Sequence, residues 1–141
     1  MGPQVDPHRA RPTFTFPVRV YYEDTDAAGV VYYANYLRFL ERARTEWLAS
    51  LGHSIAQLER THGIVFVVRR VEIDFKIPAR LDDRLDVTVT IDTLGRASLT
   101  LLQDVRRVDD ILARARVMLA CVATKSLKPM RIPFDLASAS F

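Results

Sequence analysis

The chain has 141 residues, 49% hydrophobic and 26% charged, which is enough apolar material for one packed core and too short for two full-sized domains. Twenty basic residues stand against 17 acidic ones, a net charge of +3 with no run of like charge longer than two, and this argues against a nucleic-acid surface. One cysteine, three scattered histidines and the lack of any 18-residue apolar run exclude a disulfide scaffold, a metal module and membrane insertion, and they predict a cytoplasmic protein.

Residues 1–15, with Pro3, Pro7 and Pro12 among polar neighbours, read as a flexible leader. A single domain follows over 16–133. Its last part, from residue 125 on, is irregular around Pro129 and Pro133, and 134–141 form a tail. A first strand is predicted from Pro17 to about Glu23. From Tyr36 to Leu51 the residues Tyr36, Phe39, Leu40, Ala43, Trp47 and Leu51 recur at three- and four-residue steps, which places them on one face of a helix. Asn35 is placed to cap its start and Gly52 its end. Ser54-Ile-Ala-Gln57 has capping-box form and opens a short connector helix that Gly63 ends, with His53 and His62 as turn or surface residues beside it.

After Gly63 the period changes to two. Val71, Ile73, Phe75 and Ile77, then Leu85, Val87, Val89 and Ile91, alternate with polar residues, as half-buried strands do. Pro78 to Asp83 separates these strands, and the Gly95 turn leads to two more, near Ala97–Arg107 and Ile111–Thr124, the latter with Cys121 as a buried hydrophobe. To put Leu99, Leu101 and Val105 on one face with Ala113, Ala115, Val117 and Leu119, opposed residues must sum to an even number. That predicts Asp104 opposite Arg114 and an odd-length loop around Asp109. One amphipathic helix with about five antiparallel strands implies an α+β fold in which the sheet curls round the helix.

No Gly-x-Ser-x-Gly elbow, phosphate loop, His-Glu-x-x-His or Cys-x-x-Cys is present. Chemistry instead concentrates in Tyr21-Tyr-Glu-Asp24-Thr-Asp26-Ala-Ala-Gly29-Val-Val-Tyr32-Tyr33-Ala-Asn35-Tyr36, where acids end a strand and the long helix opens. Unpaired N–H groups at a helix N-terminus stabilise an anion or a carbonyl oxygen, and a carboxylate beside them can attack that carbonyl or activate water against it. Aspartates after a strand are also ordinary turn residues. Asp24 and Asp26 share parity on an extended strand, so spacing does not choose between them.

The run from Val18 to Trp47 resembles the hot-dog-fold acyl-CoA thioesterases of the 4-hydroxybenzoyl-CoA thioesterase superfamily, in particular the Tol-Pal-associated, YbgC-type branch. The resemblance continues through Phe66-Val-Val-Arg-Arg70 and Pro78-Ala-Arg-Leu-Asp-Asp83 and covers residues 17–133. It implies a long helix wrapped by an antiparallel sheet, hydrolysis of an acyl-CoA thioester, and no metal or cofactor, coenzyme A being part of the substrate. It makes Asp26 the catalytic carboxylate and the Tyr33 backbone N–H the donor to the thioester carbonyl. That second position is typically histidine in the YbgC-type branch and tyrosine in the 4-hydroxybenzoyl-CoA branch. It further implies that Arg96 and Lys128 meet the coenzyme A phosphates, that acyl carrier protein is a possible acyl donor, and that the chain works as a homodimer or homotetramer with acyl pockets between subunits. An enoyl hydratase or dehydratase and a non-catalytic acyl-CoA or acyl-carrier binding module are the rival readings.

Overall fold

The computed structural model describes residues 12–136. Residues 1–11 of the expected leader and 137–141 of the tail lie outside it. Strand β1 spans Thr13–Arg19, earlier than the predicted Pro17–Glu23, and takes in Thr13–Thr15 from the expected leader. Phe14, Phe16 and Val18 turn inward along it while Thr13, Thr15, Pro17 and Arg19 stay exposed. Pro17 is tolerated because β1 is an edge strand. Beyond Val20 the chain leaves the sheet in a 3-10 turn over Tyr22–Asp24.

Helix α1 spans Tyr33–Ser50 and buries the predicted stripe from Tyr36 to Trp47, with Asn35 and Leu48 added to it, while Leu51 falls at the C-cap and is only partly buried. The expected cap at Asn35 is corrected: the cap position is Tyr32, with extended backbone, and Asn35 lies inside the first turn. Its side-chain Nδ2 donates to Asp24 Oδ1 at 2.8 Å. Gly52 follows the helix at φ +86°, the left-handed conformation predicted there. A short helix α2, Ile55–Gln57, starts with the Gln57 N–H donating to Ser54 Oγ at 3.2 Å. It runs on as a π-turn over Leu58–His62 to Gly63 at φ +63°.

Strands β2 (Ile64–Phe75), β3 (Arg84–Leu94), β4 (Ser98–Arg107) and β5 (Asp110–Ala123) complete one antiparallel sheet in the order β1-β3-β4-β5-β2. Its inner face, from Leu85, Val87 and Val89 through Leu101, Val105, Ala115 and Val117, packs with Phe39, Leu40, Ala43 and Trp47 of α1 in one core. The β4–β5 register is as predicted: Leu99 faces Leu119, Val105 faces Ala113, and Asp104 faces Arg114, which grips it through two bonds of 2.9 and 3.2 Å. The loop is not odd in length. A two-residue turn, Val108-Asp109, closes the hairpin, and a β-bulge beside Val105 restores the parity by inserting Leu112. The Leu112 carbonyl then accepts from Lys76 N–H at 2.8 Å and Ile77 N–H at 3.1 Å, where β2 leaves the sheet.

Two further expectations are modified. Phe75 and Ile77, on the predicted inner face of β2, stay exposed at 47% and 39% because α1 begins beside them and covers only part of that end. His53 is not a free turn residue. After Thr124 the chain returns along β5 and over the Arg96 turn, and Phe134 stacks on the His53 ring at 3.8 Å while Leu136 enters the core. Burial, with His62 nearby, lowers the His53 pKa.

Candidate active site

The corner between β1 and α1 is built by a tight turn. Gly29 N–H donates to the Asp26 carbonyl at 3.0 Å, and Gly29 sits at φ +77°, a conformation that disfavours other residues. The turn rests on the segment between β2 and β3: Val31 N–H donates to Ala79 O at 2.8 Å, and Leu81 N–H donates to Gly29 O at 3.3 Å. The Tyr36 hydroxyl, on the buried face of α1, accepts from Ala79 N–H at 3.0 Å, and burial raises its pKa. Asp83 holds the same segment from its other end, accepting from Arg80 N–H and from Arg107 at 2.8 Å each. In the sequence Pro78–Asp83 is a strand separator and part of the family resemblance, with no role in the site assigned to it. Its role as the floor of this corner lies in contacts with residues some fifty positions earlier, which no local pattern shows.

Asp24 and Asp26 do not point the same way, because the 3-10 turn replaces the extended strand that the parity argument assumed. Asp24 is 4% exposed, and its two oxygens accept from Tyr21 N–H and Asn35 Nδ2, each at 2.8 Å. Oδ2 closes the start of the 3-10 turn, and Oδ1 joins that turn to the first turn of α1. Asp26 is exposed; its Oδ1 accepts from Ala28 N–H at 2.8 Å and Val30 N–H at 3.4 Å, which leaves Oδ2 without a partner among the described residues. Tyr33 is the first residue of α1, and its N–H likewise finds no acceptor among the described residues. Its ring is exposed and lies 5.2 Å from that of Phe75. A free carboxylate oxygen and a free helix-end N–H therefore share one exposed corner.

Arg96 and Lys128 are elsewhere. Arg96 follows the far end of β3, and its carbonyl accepts from Ile132 N–H at 2.8 Å, which brings it beside the returning segment that contains Lys128. The length of β3 separates that basic edge from Asp26, roughly 35 Å of strand. In one chain Asp26 and Tyr33 thus lie at one end of the sheet, and Arg96 and Lys128 at the other. No described helix is long and apolar enough to cross a membrane.

A family model described as the thioesterase-like superfamily matches residues 20–139. The chain is 43% identical over 126 residues to the acyl-CoA thioesterase YbgC of Haemophilus influenzae, covering 89% of this chain and 93% of that one. The solved 1,4-dihydroxy-2-naphthoyl-CoA thioesterase of Synechocystis is similar with a TM-score of 0.78 at 31% identity, over 86% of this chain and 90% of that one. An aspartate-to-asparagine variant of a 4-hydroxybenzoyl-CoA thioesterase, solved with 4-hydroxybenzoyl-CoA, gives a TM-score of 0.81 at 25% identity, over 88% and 94% of the two chains.

Proposed function

Because this chain belongs to the thioesterase-like superfamily and is an acyl-CoA thioesterase, we propose that Asp26 and the tip of α1 together cleave the thioester to a free acid and CoA. The observation that carries this reading is the shared corner, where Asp26 Oδ2 and the Tyr33 N–H are both without a partner among the described residues. The thioester carbonyl oxygen accepts from the Tyr33 N–H, and the helix dipole stabilises the negative charge that develops on it. Oδ2 attacks the carbonyl carbon and expels the CoA thiolate, leaving an anhydride for water to open, or it takes a proton from a water that attacks in its place. Turnover in ¹⁸O-water that leaves label in Asp26 selects the anhydride route. The donor is a backbone group, so the tyrosine in a position typically histidine in the YbgC-type branch does not remove it. The reaction uses no metal, and coenzyme A enters only as substrate. A cytoplasmic location fits that substrate.

The working unit is a homodimer, or a homotetramer built from two. Strand β2 is an unpaired edge of 12 residues. Pairing it with its own copy about a two-fold axis is antiparallel and sets the Ile64 end of one strand against the Phe75 end of the other. That pairing brings the Arg96 and Lys128 end of one subunit towards the partner subunit's Asp26, where the two cations can meet the CoA phosphates.

Asp26→Asn is expected to fold and to bind CoA while kcat falls by about 10³-fold or more. Thiol release from a panel of acyl-CoAs and acyl carrier proteins measures it, and near-normal turnover would falsify the assignment of Asp26. Thioester binding with no thiol released from the wild type favours a binding module instead. A hydratase reading calls for a histidine in the site, and within one chain both described histidines lie against Phe134, away from the corner.

A further inference from the structure

Under the second half of α1, a cavity of about 250 Å³ opens between that helix, α2 and the first half of β2. Leu48, Leu58, Ile64, Leu99 and Leu119 give it an apolar wall. Two side chains in the lining depart from that chemistry. Arg44 is half-buried, and among the described residues its guanidinium makes a single bond, Nη1 to Gln103 Oε1 at 3.0 Å. Gln103 passes the contact on to the Leu40 carbonyl at 3.1 Å. No carboxylate forms an ion pair with Arg44 among the described residues. Trp47, one turn further along, is 1% exposed, and its indole N–H is buried with no partner among the described residues.

Residues three apart on a helix are neighbours, so Arg44 and Trp47 contribute to the same stretch of the cavity lining. Buried donors left unmade carry a desolvation cost that an incoming acceptor removes, most of all when donor and acceptor are both charged. The one acid in the lining, Glu41, is exposed and lies three residues before Arg44; burial lowers the Arg44 pKa and the Glu41 charge acts against that. The interior therefore offers apolar contact, one positive charge and spare donors. An apolar chain with an anionic oxygen terminus is its complement.

We propose that this cavity receives the far end of the acyl group and that Arg44 and Trp47 select acyl chains ending in a carboxylate. The inference rests on the thioesterase reading above and on the β2 pairing described with it. That pairing sets Ile64, at the cavity, beside the opposite Phe75 end, and so places the cavity next to the partner subunit's Asp26. The acyl carboxylate accepts from the free guanidinium N–H groups of Arg44 and from the Trp47 N–H, while the methylene chain lies along the leucines.

The test compares adipoyl-CoA with hexanoyl-CoA, of equal chain length and differing at the far end. CoA release by the wild-type chain is expected to favour adipoyl-CoA by about tenfold or more in kcat/KM. The ratio should collapse towards one in Arg44→Met and fall part of the way in Trp47→Phe, which keeps the bulk and removes the N–H. Binding of both compounds to the Asp26→Asn chain, measured by calorimetry, supplies a readout independent of turnover. Equal or better use of hexanoyl-CoA by the wild type overturns the proposal and leaves hydrolysis standing. Preferential binding of adipoyl-CoA with no thiol released from either compound keeps the pocket assignment and defeats the hydrolysis reading. If Arg44→Met does not fold, the wild-type ratio and Trp47→Phe decide.

Discussion

Two aspartates two positions apart take on opposite tasks because one of them meets an asparagine eleven residues later. Asp24 is buried with both oxygens satisfied, so it acts on the site through what it holds: Tyr21 N–H on one side and the first turn of α1 on the other. Asp26 then projects from a turn whose two ends are fixed. We expect Asn35→Ala to leave a buried carboxylate oxygen unpaired, at a cost of roughly 1.5–3 kcal/mol, and to lower the melting temperature. If Asp24 positions the site, kcat should also drop several-fold with KM little changed. A lower melting temperature with unaltered kcat makes the contact purely structural. Sequence showed the acids, the glycine and the aromatic rings gathered in this corner. Spacing did not show which acid is free, since parity applies only to extended chain and the 3-10 turn at Tyr22 breaks it; only the resemblance pointed to Asp26.

At the level of elements, periodicity carried most of the information. The stripe of α1 and the inward faces of β3, β4 and β5 are where the three- to four-residue and two-residue repeats placed them, because burial on one face is what makes those repeats. The hairpin shows where this reasoning stops. The apolar faces required even sums, and the pairing obeys them through the body of the hairpin, yet the parity is met by a bulge at Leu112. A bulge leaves no composition signal when the inserted residue is itself apolar and buried. The short turn that results puts Val108, a β-branched residue, at φ +55° with 82% of its surface exposed. Val108→Gly is expected to relieve that strain and stabilise the fold by roughly 1 kcal/mol, read as a rise in melting temperature of about 3–5 °C with catalysis unaffected. A fall in melting temperature would mean that the turn is held by contacts other than its backbone.

The whole molecule is best understood through what a single chain leaves uncovered. Tyr33, Leu37, Phe75 and Ile77 are exposed apolar residues near the Asp26 corner, and the β2 edge runs from that corner to the donor-lined cavity. Composition and periodicity do not announce that the site is divided, because each half looks like an ordinary surface; only the resemblance implied acyl pockets between subunits. If the site combines Asp26 of one subunit with the cavity of the other, two crippled chains can rescue each other. Asp26→Asn keeps its cavity, and Thr45→Trp, which fills the cavity from α1, keeps its carboxylate; each alone should be nearly inactive. Unfolded together and refolded at equal concentration, they should form half mixed dimers, each with one intact site, and recover about a quarter of the wild-type rate per chain. Were both parts of the site drawn from the same chain, no mixture would exceed the activity of its components. Thiol release before and after co-refolding, with a size measurement to confirm the dimer, separates the two arrangements.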